Sequence, residues 1–364
     1  MYFLLLLGIA QVLPSIAQKT DMIPPVTQFG ASKVEFTSAG AGLDGPKLDK
    51  VNATTFDWWY FDIGSENLNA EATLLMVTGD AFTLGFPFTL GTSNYGILTV
   101  LQPNDTIYQQ IFLGGDATVV VSGDGSSGNW EGTGVSWTGT PDLSSYTVNI
   151  DVPLLGLEGT MTLKSIAPAH FPCSSNGAGQ TEELFPNIGW ANAIPDAVGT
   201  VDLNLGGEHV SFTGTGYHDK NWGAKRLPST VTSWYWGHGR VGPYSLVWFD
   251  AIAIDGDEYI SGYLAKNGTV VSSGCSGILV RPTRVNSEYP PAPLQGDPSG
   301  FHIEYTTSEG KFVVDVENHA VAWEPPLVSG GYTRWTGNIT GGFEDQQQYT
   351  GATVHEWIPF YFNV

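Results

Sequence analysis

The chain has 364 residues, a length comfortable for two all-β domains, and 41% of them are apolar, enough for a substantial core. Charged residues make up only 14%, against ~25% in an average globular protein. With 36 acidic residues against 14 basic ones the net charge is −22, a field that argues against nucleic-acid binding and anionic membrane surfaces and disfavours acidic substrates unless a local basic pocket overrides it.

The opening run, MYFLLLLGIAQVLPSIA, is apolar and ends in the small–x–small triplet Ser15-Ile16-Ala17 before Gln18. It predicts a signal peptide over residues 1–17 and hence the secretory pathway, with a buried strand or a membrane anchor as the alternatives. Pro14 and its short length make it a poor membrane span, and no later stretch approaches transmembrane length. Four N-x-Ser/Thr triplets, at Asn52, Asn104, Asn267 and Asn338, are glycosylation acceptors in such a setting. Cys173 and Cys275 are the two cysteines, able to form one long-range disulfide in an oxidising compartment or to remain buried thiols; their spacing gives no zinc site.

From there on the chain reads as strand and turn. Glycine (46) and proline (22) are abundant, and helical periodicity is nearly absent, with one short helix expected within 180–199. Runs such as ATLLMVTG, ATVVVSG, YTVNIDV, HVSFTGTG and YSLVWFDAIAI are rich in Val, Ile, Thr, Tyr and Phe and are bounded by turn residues. Many short strands predict an all-β chain of barrels or sandwiches. DWWYFD (Asp57–Asp62) and SWYWGH (Ser233–His238) open similar strand series in the two halves. They predict two related β-domains, 18–215 and 216–364, joined near 205–232.

Polar residues crowd into one place, GTGYHDKNWGAKR (Gly214–Arg226). Regular alternation puts Val210, Phe212, Gly214, Gly216 and His218 on an inward face, and Lys220 and Trp222 with them if the strand continues. Asp219 and Asn221 then face away. The two glycines leave a gap for a ligand or a neighbouring backbone. In YSLVWFDAIAI both faces are apolar, so Asp250 is a buried carboxylate: a proton donor, acceptor or substrate anchor, or a structural partner of Lys220, Lys225, Arg226 or Arg240. SWYWGHGR sets Trp234, Trp236, His238 and Arg240 on one face. Trp190, Trp222, Trp234, Trp236 and Trp248 cluster in this middle region, a wall suited to an apolar polycyclic or polyene ligand, or an ordinary aromatic core. No metal-ligand spacing, nucleophile elbow, phosphate loop or dinucleotide fingerprint is present, so no cofactor or metal is expected.

DWWYFD, GTGYHDKNWG and WYWGHGRVGPYSLVWFD together resemble the hydroxyneurosporene synthase (carotenoid hydratase)/AttH-like superfamily. The resemblance covers most of the chain after the first 17 residues and implies a pair of lipocalin-like β-barrels. Its fungal members include Diels–Alderases, hetero-Diels–Alderases and carbocyclases acting on epoxides. The hydratase branch carries His where Lys220 stands here, which tilts the expectation toward cyclisation.

The resulting expectation is a cyclase of secondary metabolism, foremost a Diels–Alder or hetero-Diels–Alder pericyclase holding its substrate between the two barrels. Trp58, Trp222, Trp234, Trp236, His238 and Trp248 would contact the substrate. His218, Lys220 or Tyr60 would polarise a carbonyl. The runner-up is acid-assisted cyclisation or hydration of an epoxide or alkene, with Asp250 or Asp219 as the acid. A non-catalytic carrier of lipophilic small molecules is the third reading.

Overall fold

The computed structural model describes residues 18–292, 295–324 and 331–360. The predicted signal segment 1–17 lies outside the described residues. What is described is all-β: antiparallel strands with three short 3-10 turns, at Ala81–Leu84, Pro153–Leu155 and Leu227–Ser229, and no α-helix.

The strands form two curled sheets, one of fifteen strands and one of nine. The first begins at Gln18–Ile23 and ends with Glu208–Gly223; the second runs from Val231–Val241 to Tyr349–Pro359. They change over at residues 224–230. The 215/216 division expected from the sequence falls inside Glu208–Gly223, which continues unbroken in the first sheet.

The helix expected within 180–199 is instead the start of the longest strand, Ile188–Leu205. It pairs with Glu208–Gly223 along its whole length, with irregularities between Asn192, Ile194 and Ala197. Pro195 sits in that irregularity, where a missing N–H is tolerated. From Ala197 to Leu205 the burial alternates residue by residue, which a strand produces and a helix does not.

Three apolar clusters result. One fills the first sheet around Trp59, Phe61, Trp130, Trp137 and Trp222. Another fills the second sheet around Tyr235, Trp248, Trp335 and Trp357. The third lies between the sheets and contains Trp58, Tyr60, Tyr217, Trp234, Trp236 and Phe249. The alternation of a strand accounts for this division. In Phe56–Ser65, Trp59, Phe61 and Ile63 enter the first cluster, while Trp58 and Tyr60 enter the third. Every residue of that strand is buried because both its faces are covered.

Gly214 answers the question of the gap. A Cβ there would lie 1.9 Å from the carbonyl oxygen of Gly64, so the space belongs to the neighbouring backbone. At Gly216 a Cβ would meet the Leu163 side chain at 2.7 Å.

Cys173 and Cys275 are joined as a disulfide, linking a loop of the first sheet's half to the second. Three acid–base contacts also bridge the sheets, each with its acid in the first and its base in the second: Asp62–His238, Asp196–Arg240 and Glu71–Arg334.

Candidate active site

Between the sheets lies a cavity enclosing about 770 Å³ of atom-free space, part of it open to solvent. Most of its wall is apolar, with Trp58, Trp234, Trp236, Trp323, Phe249 and Phe360 the largest contributors. Its polar groups are Tyr60, Asp219, Asn221, Tyr332, Arg334 and Glu356.

Strand register explains how the first sheet supplies its share. Asp219 is the cross-strand partner of Tyr60, and Asn221 that of Trp58. Such partners project on one face with their Cβ atoms about 5 Å apart. From the second sheet, Trp236 is opposite Glu356 and Trp234 opposite Ile358.

Asp219 is 4% exposed. Its Oδ2 accepts from Tyr217 Oη at 2.6 Å and from Trp190 Nε1 at 2.7 Å, and Oδ1 takes no hydrogen bond from the described residues. Burial pushes its carboxyl up to about 7, against the pull of those two donors. At the other polar end, Glu356 accepts from Trp234 Nε1 at 3.1 Å and from the Tyr332 hydroxyl. Burial raises its pKa too, opposed by Arg334. The Arg334 guanidinium is engaged by Tyr332 Oη at 2.8 Å, by Thr73 and by Glu71, and burial lifts Glu71 to about 7.

The residues singled out from the sequence divide three ways. Tyr60, Trp58, Trp234 and Trp236 line the cavity, and His238 stands behind Tyr60 on Asp62. His218, Lys220 and Trp222 point into the first sheet's interior, away from it. Lys220 Nζ lies 2.6 Å from Asp57 Oδ1 and 2.9 Å from the Gly45 carbonyl, and 4.3 Å above the Trp59 ring. His218 Nδ1 is 2.8 Å from the Tyr60 carbonyl, its ring stacked on Phe61, and Trp222 donates to the Glu35 carbonyl. Trp248 and Asp250 belong to the second sheet. Asp250 contacts Tyr289 at 2.7 Å and Arg281 at 3.1 Å, not any of the four bases expected from sequence.

Asp219 and Asn221 correct the expected alternation. They face away from the first sheet's interior as expected, but that outside is the cavity, because the second sheet covers it. Glu356, Arg334, Tyr332 and Trp323 were missed. For Glu356 and Arg334 a signal was available: TVHEWIPF and YTRWTG each carry a single carboxylate or guanidinium among uncharged residues, as at Asp250.

Of the glycosylation acceptors, Asn104 and Asn267 are exposed in turns. Asn52 holds its amide against the Gly30 carbonyl, and Asn338 is partly buried in a mid-sheet strand. Among the described residues no cluster of three or more His, Cys, Asp or Glu could hold a metal ion, and no helix is long and apolar enough to cross a membrane.

The sequence profile of the Diels-Alderase-like family matches residues 27–360. The chain belongs to that family. A quinolone epoxide rearrangement protein of Penicillium thymicola is 37% identical over 97% of this chain and 98% of its own length. A second such protein, from Emericella nidulans, is 37% identical over 91% of each. A Diels-Alderase of Penicillium oxalicum is 28% identical over 76% of this chain and 66% of its own.

Among solved structures, CghA with Sch210972 superposes with a TM-score of 0.75 at 17% identity, covering 93% of this chain and 98% of that one. Kievitone hydratase from Nectria haematococca gives 0.58 at 12%, covering 94% and 99%. As a Diels-Alderase-like protein the chain is a cyclase-type enzyme of secondary metabolism, with the paired lipocalin-like architecture expected from its sequence.

Proposed function

We propose that the chain opens an epoxide under acid assistance and guides the resulting cation into a rearranged or cyclised product. One observation carries this reading: a buried carboxyl, Asp219, poised near neutrality in a cavity walled by tryptophans. A general acid works best with a pKa near the working pH. With Oδ2 held by Tyr217 and Trp190, Oδ1 is the oxygen free to carry the proton toward a ligand.

The chemistry runs as follows. Asp219 donates its proton to the epoxide oxygen as a C–O bond breaks, the electron pair going to oxygen. The indole faces of Trp58, Trp234, Trp236 and Trp323 surround the carbon that becomes positive, each contributing ~0.5–2 kcal/mol by cation–π attraction. A neighbouring bond then shifts or a ring closes, and loss of one proton ends an isomerisation with no net change in atoms. The relatives named for quinolone epoxide rearrangement support a quinolone, a nitrogen heterocycle, as the substrate class.

The test is turnover of a synthetic quinolone epoxide by purified protein. Its kcat should be highest below the Asp219 pKa and fall as pH rises through about 7, because only the protonated carboxyl can donate. A profile flat from pH 5 to 9 would sink the acid role.

A second reading is a Diels–Alder or hetero-Diels–Alder cyclase, favoured by the aromatic walls and by the relatives of that name. Holding the diene and dienophile in one pose could supply most of that rate enhancement. Such an enzyme would keep most of its activity in Asp219→Asn. The Cys173–Cys275 disulfide supports an oxidising, secretory compartment for either activity. Mass spectrometry of protein recovered from its natural source, with residues 1–17 still attached, would overturn that placement.

A further inference from the structure

Acid opening of an epoxide leaves a cation that must surrender a proton, and on that reading the cavity needs an acceptor as well as an acid. We propose that Tyr60 and Asp62 form this accepting arm: the Tyr60 phenol oxygen takes the proton lost by the cation while its own proton passes to the Asp62 carboxylate.

Tyr60 lines the cavity beside Asp219, its partner across the two strands. Its hydroxyl donates to Asp62 Oδ2 at 2.7 Å. A phenol whose proton is already given inward turns only lone pairs to a ligand, so Tyr60 accepts from a substrate and does not polarise its carbonyl. Asp62 is completely buried and does not line the cavity, so it reaches a substrate only through Tyr60.

The second sheet holds Asp62 in place. His238 Nε2 lies 2.8 Å from Oδ1 and 3.1 Å from Oδ2. Its Nδ1 has no partner among the described residues, which fits a ring with its proton on Nε2. That ring stacks on Tyr217 at 4.6 Å, and Tyr217 in turn donates to Asp219. Acid and acceptor are thereby fixed in one packed layer. Burial raises the Tyr60 phenol well above its usual range, so no standing phenolate forms. The two proton movements must therefore be concerted.

The balance closes. As the proton leaves, its C–H electron pair quenches the cation. Asp219 ends as a carboxylate and Asp62 as a carboxylic acid. Solvent at the open side of the cavity returns both to their starting states, Asp62 losing its proton through Tyr60 and Asp219 regaining one. His238 is a positioning residue in this scheme.

Tyr60→Phe, Asp62→Asn and Asp219→Asn would be compared on the same quinolone epoxide, with near-UV circular dichroism to confirm packing. Tyr60→Phe and Asp62→Asn should each lower kcat about 100-fold while KM stays within about threefold, and both should release a diol formed by water capture of the longer-lived cation. Asp219→Asn should instead leave the epoxide unconsumed. Wild-type kcat in either Tyr60→Phe or Asp62→Asn overturns the accepting arm, and so does a slowed Tyr60→Phe that still gives only the rearranged product. Full turnover by Asp219→Asn would refute the acid-opening reading itself, whatever Tyr60→Phe does.

Discussion

The two faces of Glu208–Gly223 hold charge in opposite ways. On the face toward the first sheet's interior, Lys220 is closed on Asp57, and His218 Nε2 lies 3.1 Å from Asp44 Oδ1. Burial pushes the Lys220 ammonium down and the Asp57 carboxyl up, while their contact opposes both shifts. The other face carries Asp219, held on one oxygen only and open on the other to a cavity. A charge closed on its partner specifies packing. One left with an open valence beside empty space is available for chemistry. Neighbouring residues of a single strand thus have separate tasks, divided by the two-residue period of the strand.

Several substitutions would break or sharpen this contrast. Asp219→Asn should have the largest effect, a loss of 10²–10⁴-fold in kcat, about the usual contribution of a general acid, with little change in thermal stability. Next is Lys220→Met. It leaves Asp57 buried without its partner and should destabilise the fold by ~3–5 kcal/mol in denaturant titrations, while kcat per folded molecule stays near wild type. A catalytic loss without a stability loss at Lys220 would erase the distinction between the faces.

Trp236→Leu should lower kcat/KM by roughly tenfold, the scale of one partly desolvated cation–π contact, and should affect an epoxide more than a neutral ligand of the same shape in binding assays. The smallest effect belongs to Asp250, a buried carboxyl lifted by burial to about 7 from 3.8. The folded state holds this proton more tightly than the unfolded chain does. Its contribution to stability is therefore full below about pH 4 and lost as pH rises through about 7. Asp250→Asn should flatten the decline in melting temperature across that window without touching kcat. An unchanged pH dependence would show that Asp250 is ionised throughout.

Much of this was legible in the sequence. Glycine-bounded runs of Val, Thr and aromatic residues gave the all-β class, and alternation put Trp234, Trp236, His238 and Arg240 on a shared face. The same rule correctly separated His218, Lys220 and Trp222 from Asp219 and Asn221. It failed at the next step, because apolar neighbours such as Val210 and Phe212 mark a face as buried without saying against what. Three cores lie among the described residues, and His218, Lys220 and Trp222, expected beside a ligand held between the barrels, fill the first sheet's interior instead. Glu356 and Arg334 escaped notice for a related reason: a lone charge in an apolar strand looks the same whether it is paired within its own sheet, as Asp250 is with Arg281, or faces a cavity.

By itself the sequence determined which residues share a strand face, since that follows from backbone geometry over a few residues and needs no distant partner. It also supplied part of the site's composition, the cavity-lining Trp58, Tyr60, Trp234 and Trp236. Tertiary structure alone decided which buried face is packed and which encloses space, because that depends on how two sheets built from different halves of the chain meet. It also decided the state of Asp219. Its elevated pKa comes first from loss of water when the second sheet closes over it, and no local pattern of residues encodes that closure.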